Sequence, residues 1–236
     1  MYLFGINSVY ECLLVKRVKE VFLTNSFNDK KTLDEIYKQH IKVNYVDKNK
    51  LDSLSKGGVH QGIVALAKAL TPISLNEALS KVKNKENPVF VMLDGLKDPH
   101  NLGAIIRTSD IFGISGVIYK KHDSVTLNET VEKVSTGATN YVPCIEVTNL
   151  TNSINDLKKE GYWVVGLEGD SKQDIKDMPK DCKLVIVIGS EGKGISRLVK
   201  ENCDLLVKIN MSGHGHINSL NASNAAAIAL YELRRK

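Results

Sequence analysis

The sequence has few of the residues that would indicate a secreted, metal-binding or membrane-embedded protein. Its 236 residues include four cysteines, which are scattered at Cys12, Cys144, Cys182 and Cys203. Without a C-x-x-C pair they predict neither a zinc site nor a redox motif, so we expect reduced thiols in a cytoplasmic protein. No apolar run is long enough to span a bilayer. The amino-terminal segment also lacks the basic n-region of a secretory signal.

The remaining composition is that of a globular protein. Hydrophobic residues account for 42% of the chain and charged residues for 25%, which are ordinary values. The length fits one large domain or two smaller ones. The net charge of +5 suits a partner that carries phosphates, but many proteins without such a partner carry as much charge. Composition therefore leaves the function open.

Apolar segments alternate with helical patterns along the chain, which predicts an α/β fold. We expect a small α/β domain over residues 1–70, a linker with a short helix over residues 71–87, and a second α/β domain over residues 88–236. The strands predicted in the second domain are continuous apolar runs, at Val89–Leu93, Val117–Tyr119, Tyr162–Leu167, Leu184–Ile188 and Leu205–Ile209. Continuous rather than alternating runs indicate a parallel sheet that is covered on both faces.

Three polar segments follow strands of the second domain. They are Asn101-x-Gly103-x3-Arg107, Gly189-Ser190-Glu191-Gly192-x-Gly194 and Ser219-Leu220-Asn221-Ala222-Ser223. Ligands of open α/β sheets bind at the carboxyl ends of the strands, so these segments are expected to converge on one site. Their arginine, glutamate, asparagine and serine side chains suit a ligand that carries phosphates or hydroxyl groups.

The first polar segment predicts a helix that begins with Asp98 as its cap and a proline at its first position. Gly103 is expected to leave room for a long side chain or a ligand. Arg107 lies away from the apolar stripe of this helix, which favours a functional role. The alternative is a surface arginine paired with Asp110 or Glu129.

The glycine-rich segment differs from the known phosphate-binding loops. Gly194 is followed by Ile195 rather than by the lysine of a P-loop, and no G-x-G-x-x-G pattern is present. We expect its glycines to allow close backbone approach to a flat ligand, and Glu191 to orient a ribose hydroxyl or a guanine edge. The alternative is a plain turn between a strand and a helix. Elsewhere, Ser219 or Asn221 is predicted to cap the last helix, and Asn7 or Ser8 the first.

In their order and their residues, the three segments resemble the motifs of the SpoU branch of the SPOUT RNA methyltransferases. The resemblance is to the bacterial 23S rRNA guanosine 2′-O-methyltransferases in particular. Two further segments, Gly5-x-Asn7-x-Val9 and His60-Gln61-Gly62, lie where that family has similar residues. The resemblance implies a knotted parallel-sheet methyltransferase domain, a preceding L30e-like domain that binds the RNA substrate, S-adenosylmethionine as methyl donor, and a homodimer.

The resemblance also implies functional residues. The catalytic group would be Asn101, Arg107, Glu191, Ser219 and Asn221, and the cofactor would bind around Gly189, Ile209 and Leu220. We expect the Arg107 guanidinium to grip an RNA phosphate and to stabilise the developing 2′-alkoxide, because it holds its proton too tightly to be a good base. The group that accepts the ribose proton is left open.

The third segment departs from the family pattern. Asn210 replaces a usual proline, the loop through Gly213–His216 is two residues longer, and Asn224 replaces a usual apolar residue. We expect these changes to weaken cofactor binding. Two alternatives stay open: a tRNA guanosine 2′-O-methyltransferase, and an RNA-binding module whose catalysis is impaired by the altered third segment. His214 and His216 alone do not predict a metal site.

Overall fold

Two β-sheets form within the part of the chain that the structure describes. The computed structural model describes residues 1–212 and 219–235. Within these ranges a four-stranded mixed sheet precedes a seven-stranded parallel sheet. None of the helices in the described ranges is long and apolar enough to cross a membrane.

The four-stranded sheet has the strand order β1-β4-β2-β3. Its strands are β1 (Tyr2–Phe4), β2 (Val18–Leu23), β3 (Lys42–Tyr45) and β4 (Ile63–Ala67). Its helices are α1 (Ile6–Leu14), α2 (Lys30–Lys38) and α3 (Lys48–Leu54). β4 pairs antiparallel with β1 and β2, whereas β2 and β3 are parallel. The pattern of alternating helices and strands predicted for this part is confirmed, apart from β1, whose three residues are too few to show a pattern.

The cap predicted for α1 is wrong. The cap residue is Gly5, whose φ of +89° lies in the region that favours glycine, and neither Asn7 nor Ser8 caps the helix. Instead the Ile6 amide donates a hydrogen bond of 3.0 Å to Oε1 of Gln61. The His60-Gln61-Gly62 turn therefore stabilises the start of α1 from a distant part of the chain.

The seven-stranded sheet is parallel throughout, and its strand order is β7-β6-β5-β10-β8-β11-β9. A short helix, α4 (Leu75–Lys81), precedes it. The strands are β5 (Val89–Asp94), β6 (Gly116–Lys120), β7 (Cys144–Val147), β8 (Trp163–Leu167), β9 (Gln173–Asp174), β10 (Leu184–Gly189) and β11 (Leu205–Lys208). The helices are α5 (Pro99–Ile111), α6 (Glu129–Val134), α7 (Leu150–Lys159), α8 (Arg197–Glu201) and α9 (Ala222–Arg234). The predicted parallel sheet is confirmed.

Helices cover both faces of this sheet, which explains its continuous apolar strands. In β5, Val91 and Leu93 face one buried core, whereas Phe90 and Met92 face another. Both sides of a strand must then be apolar. The knot that the family resemblance implies stays a prediction.

Helix α6 connects the two sheets. On one side, Glu132 forms an ion pair of 3.0 Å with Arg17, and these side chains are only 3% and 11% exposed. The neighbouring Lys133 donates hydrogen bonds to the Phe4 and Val59 carbonyls at 3.1 and 3.2 Å. Burial raises the pKa of Glu132 even though the Arg17 guanidinium acts in the opposite direction. The contact between the sheets therefore includes a buried charge that depends on its partner.

Candidate active site

Three side chains from the three polar segments meet in one hydrogen-bonded network. Asn101 and Asn221 both donate from Nδ2 to the same oxygen, Oε1 of Glu191, each at 2.6 Å. Asn221 Nδ2 also lies 3.0 Å from Oδ1 of Asn101, which accepts from it. The segments are far apart in sequence but follow the carboxyl ends of β5, β10 and β11, so the parallel sheet brings them together.

Asn221 has a second role at the start of α9. Its Oδ1 accepts from the Ser223 amide at 2.9 Å and from the Ser223 hydroxyl at 2.6 Å. Because the Asn221 side chain caps the helix through Oδ1, its Nδ2 is directed at Glu191. The structure thus selects Asn221 rather than Ser219 as the cap.

Asn101 is placed by the start of α5. Asp98 caps this helix as predicted, accepting from the His100 amide at 2.8 Å. Asn101 lies in the first turn and is only 5% exposed. The network is therefore anchored on the buried side by a helix whose start is fixed.

The role predicted for Gly103 is wrong. A Cβ at this position would lie 2.7 Å from Cβ of Val134 and 3.0 Å from the Val131 carbonyl oxygen. The missing side chain thus allows α5 to pack closely on α6 and leaves no room for a ligand.

The glycine-rich segment forms a tight loop that folds back on itself. Ser190 and Gly194 exchange backbone hydrogen bonds of 3.1 and 2.9 Å. A Cβ at Gly189 would lie 2.0 Å from the Gly194 carbonyl carbon, so this glycine is required by the loop's own backbone. The expected close approach to a ligand is not the reason for it. Sequence reasoning also missed Asp94, whose carboxylate accepts from the Ser196 amide at 2.7 Å and anchors the far end of the loop.

A cavity of about 430 Å³ opens beside the network. Among the residues that line it are Glu168, Asp170, Ile188, Gly189, Glu191, Ile209, Ser219 and Leu220. Its size lies within the range of pockets for small organic ligands. Apolar side chains and glycine backbone suit a flat ring, and the carboxylates suit hydroxyl groups or a positive charge. These properties fit S-adenosylmethionine, which carries an adenine, a ribose and a sulfonium.

Arg107 lies outside the network. It is exposed, and no hydrogen bond or ion pair joins it to any residue in the described ranges. Of the two partners considered for it, Glu129 instead pairs with Lys56 at 2.8 Å, and Asp110 forms no ion pair with Arg107 in the described ranges. Arg107 follows Asn101 by six residues, which is about 9 Å along a helix and about 120° around it.

The departures from the family pattern have structural consequences that differ from expectation. The Asn210 amide donates to the carboxylate of Asp174 on β9, so this position is held by a side-chain contact where the family has proline. Asn224, which replaces a usual apolar residue, is exposed on α9 and so places no amide in the core. The longer loop through Gly213–His216 lies outside the described residues.

Comparison with known proteins identifies the family of this chain. The model of the SpoU rRNA methylase family matches residues 88–231. The chain belongs to this family. A second model, for RNA 2′-O ribose methyltransferase substrate binding, matches residues 2–73.

Individual relatives cover most of the chain. A Staphylococcus haemolyticus protein assigned to the TrmH family of tRNA/rRNA methyltransferases is 47% identical over 93% of this chain and 86% of its own length. The SpoU methyltransferase AviRb from Streptomyces viridochromogenes, in complex with AdoMet, has a TM-score of 0.82 at 22% identity and covers 99% of this chain and 88% of its own. The A. aeolicus TrmH/SpoU tRNA modifying enzyme has a TM-score of 0.56 at 26% identity and covers 67% and 82%.

Family membership confirms several predictions. The protein is a SpoU-family methyltransferase with the expected α/β parallel-sheet fold. S-adenosylmethionine is confirmed as cofactor at the level of the family. The individual roles of the eight site residues stay predictions.

Proposed function

We propose that the protein transfers a methyl group from S-adenosylmethionine to the 2′-hydroxyl of a guanosine ribose in 23S rRNA. The observation that carries the proposal is the Asn101–Glu191–Asn221 network at the edge of the cavity. In this proposal residues 1–70 bind the RNA substrate, residues 88–236 carry the catalytic site, and the enzyme works as a cytoplasmic homodimer. The separate family models for residues 2–73 and 88–231 support this division.

Glu191 is the group best placed to receive the target nucleotide. Its Oε1 is occupied by two amide donors, whereas no residue in the described part of the chain hydrogen-bonds to Oε2. A carboxylate that is fixed on one side and free on the other can accept a hydrogen bond from a ribose hydroxyl or from a guanine N–H. S-adenosylmethionine, when bound in the cavity, supplies the activated methyl group. The protein contributes the orientation of the attacking oxygen.

In this proposal Arg107 acts across the interface of the homodimer. Beside Arg107, α5 packs on α9, and large apolar side chains on these two helices are exposed: Ile111 to 72%, Ile228 to 38% and Tyr231 to 59%. A dimer through this surface would cover them. Arg107 precedes Ile111 by one helical turn on the same face, so such a dimer would bring its guanidinium to the partner subunit. There it would grip an RNA phosphate and stabilise the developing alkoxide.

We choose rRNA over tRNA as the substrate because of the share of this chain that each structural match covers. The match with the tRNA modifying enzyme covers 67% of this chain, whereas the match with an AdoMet-bound rRNA methyltransferase from Sinorhizobium meliloti covers 99%. Ribose methylation should therefore be mapped in 23S rRNA and tRNA from a strain that lacks the gene. We expect one guanosine in 23S rRNA to lose its methyl group and to regain it with the wild-type gene but not with Glu191→Gln.

Other results would favour the alternatives. Loss of a tRNA methylation would make the protein a tRNA enzyme. Unchanged methylation in both RNA classes, together with no heat of S-adenosylmethionine binding in calorimetry, would favour an RNA-binding module without catalysis.

A further inference from the structure

Two tyrosines are exposed at the open edge of the four-stranded sheet. Tyr37 is 55% exposed and Tyr45 is 58% exposed. Tyr37 belongs to the last turn of α2, and Tyr45 is the last residue of β3. Their hydroxyl oxygens are 3.4 Å apart, so the two rings form one surface. We name Tyr37, Tyr45, Lys38 and Lys42 the tyrosine edge.

The position of this surface keeps it accessible. β3 is the last strand in the order β1-β4-β2-β3, so one side of it pairs with no strand in the described ranges. The contacts between the two sheets involve α1, α6 and β1, and in the described ranges no hydrogen bond or ion pair joins a side chain of the tyrosine edge to the large sheet. The tyrosine edge can therefore receive a ligand without displacing any contact between the sheets.

Charge around the tyrosine edge favours a polyanion. Residues 30–50 contain six lysines and three acidic residues, giving a net charge of +3 out of +5 for the whole chain. Lys38 pairs with Glu35 at 3.4 Å and Lys42 with Glu20 at 3.2 Å, but the two lysine side chains remain 76% and 71% exposed. Exposed ion pairs of this kind are weak, so the lysines stay available to phosphates.

We propose that the tyrosine edge binds an unpaired base of the RNA substrate, which stacks on Tyr37 and Tyr45 while the lysines contact the flanking phosphates. Sequence-tolerant recognition of single-stranded RNA commonly combines aromatic stacking with a basic surface. The inference rests on the proposed function, because it concerns where the substrate of that site is held. It adds a preference for substrates in which an unpaired nucleotide lies apart from the methylated one.

The test uses the full chain and two RNA probes of equal length, a fluorescent single strand and the corresponding duplex. Fluorescence anisotropy gives the dissociation constant of each for the wild type, the double variant Tyr37→Ala/Tyr45→Ala and the double variant Tyr37→Phe/Tyr45→Phe. We expect the alanine pair to weaken single-strand binding about tenfold or more, as for the loss of a stacked aromatic ring. The phenylalanine pair keeps the stacking faces and should bind within about twofold of wild type.

Trp163→Ala is the matched control, because Trp163 is 51% exposed at the start of β8, the end of the large sheet opposite the site. It should leave RNA binding unchanged. Equal single-strand affinity for the alanine pair and the wild type, or an equal loss in the duplex and the single strand, would refute the proposal.

A separate measurement of methyl transfer by the wild type to total RNA keeps the two proposals distinguishable. If the wild type transfers methyl groups but binds RNA no more tightly than the alanine pair does, the enzymatic function stands and only the proposal for the tyrosine edge is overturned. A wild type that neither binds RNA nor methylates it would overturn both. Formation of a larger oligomer by the wild type but not by the alanine pair, with RNA affinity unchanged, would make the surface an interface between copies and refute RNA binding there.

Discussion

Replacing Asn221 with serine should separate the two roles of this residue. Asn221 caps α9 through Oδ1 and holds Glu191 through Nδ2. Serine is about as good a helix cap as asparagine, but its hydroxyl is too short to take over both contacts. Asn221→Ser should therefore keep the helix and lose the hydrogen bonds to Glu191 and Asn101. Asn221→Ala should lose both.

The expected sizes follow from the contacts. Loss of the cap in Asn221→Ala should cost about 1 kcal/mol of stability, or about 2–4 °C in Tm for a chain of this length. A hydrogen bond to a charged group is worth about 1.5–3 kcal/mol. If it serves to orient Glu191 in the transition state, its loss should slow methyl transfer roughly tenfold to a hundredfold. Asn221→Ser should show the slower transfer with a Tm close to that of the wild type.

Two assays are carried out on the wild type, Asn221→Ser and Asn221→Ala. They are thermal unfolding and the transfer of a labelled methyl group from S-adenosylmethionine to RNA. Ser219→Ala is the matched control for stability, because the structure assigns the cap to Asn221. Wild-type transfer by a folded Asn221→Ser protein would refute the view that the amide orients Glu191. A serine variant as unstable as the alanine variant would show that the cap and the contact cannot be separated.

Three further predictions concern neighbouring positions. Arg107→Lys should leave Tm and cofactor binding in calorimetry unchanged while methyl transfer falls, because an ammonium lacks the planar guanidinium fork; full turnover would contradict this. Gly103→Ala should lower the free energy of unfolding by about 1–3 kcal/mol in urea titration, because the new Cβ would overlap Val134. Arg17→Ala should cost about 3–5 kcal/mol, because it leaves Glu132 buried without its partner, and an equal loss in Arg17→Lys would argue against charge as the cause.

The large sheet could be predicted because its signal is local. Strands such as β5 and β10 are buried on both faces, and this condition leaves an uninterrupted apolar run in the sequence. β9 was missed because it has only two residues, and β7 because Glu146 interrupts its short apolar run. Asp98 was correct as a cap, and Asn221 is one of the two caps predicted for α9, because capping depends on the side chain and the next two or three residues alone.

The errors involve contacts between distant parts of the chain. The clash that requires Gly103 comes from Val134. The side chain that supports the start of α1 comes from Gln61, 55 residues away. The residue that anchors the glycine loop, Asp94, looks in the sequence like the end of a strand and nothing more. A local pattern shows that a glycine or a carboxylate is present, but not which neighbour makes it necessary.

The buried pair of Arg17 and Glu132 limits how this protein can be divided or recombined. Arg17 lies just before β2 in the amino-terminal part of the chain, whereas Glu132 is on α6. In turn, α6 packs closely against α5 at Gly103, and α5 carries Asn101. Deletion of residues 1–70 would expose the face of α6 that packs against the first sheet. It would also remove Arg17 and leave the Glu132 carboxylate without a counter-charge. Such a fragment would report on a damaged catalytic unit rather than on a unit that lacks RNA affinity. Chimeras with relatives should therefore exchange α6 together with the first sheet, or carry matched residues at positions 17 and 132.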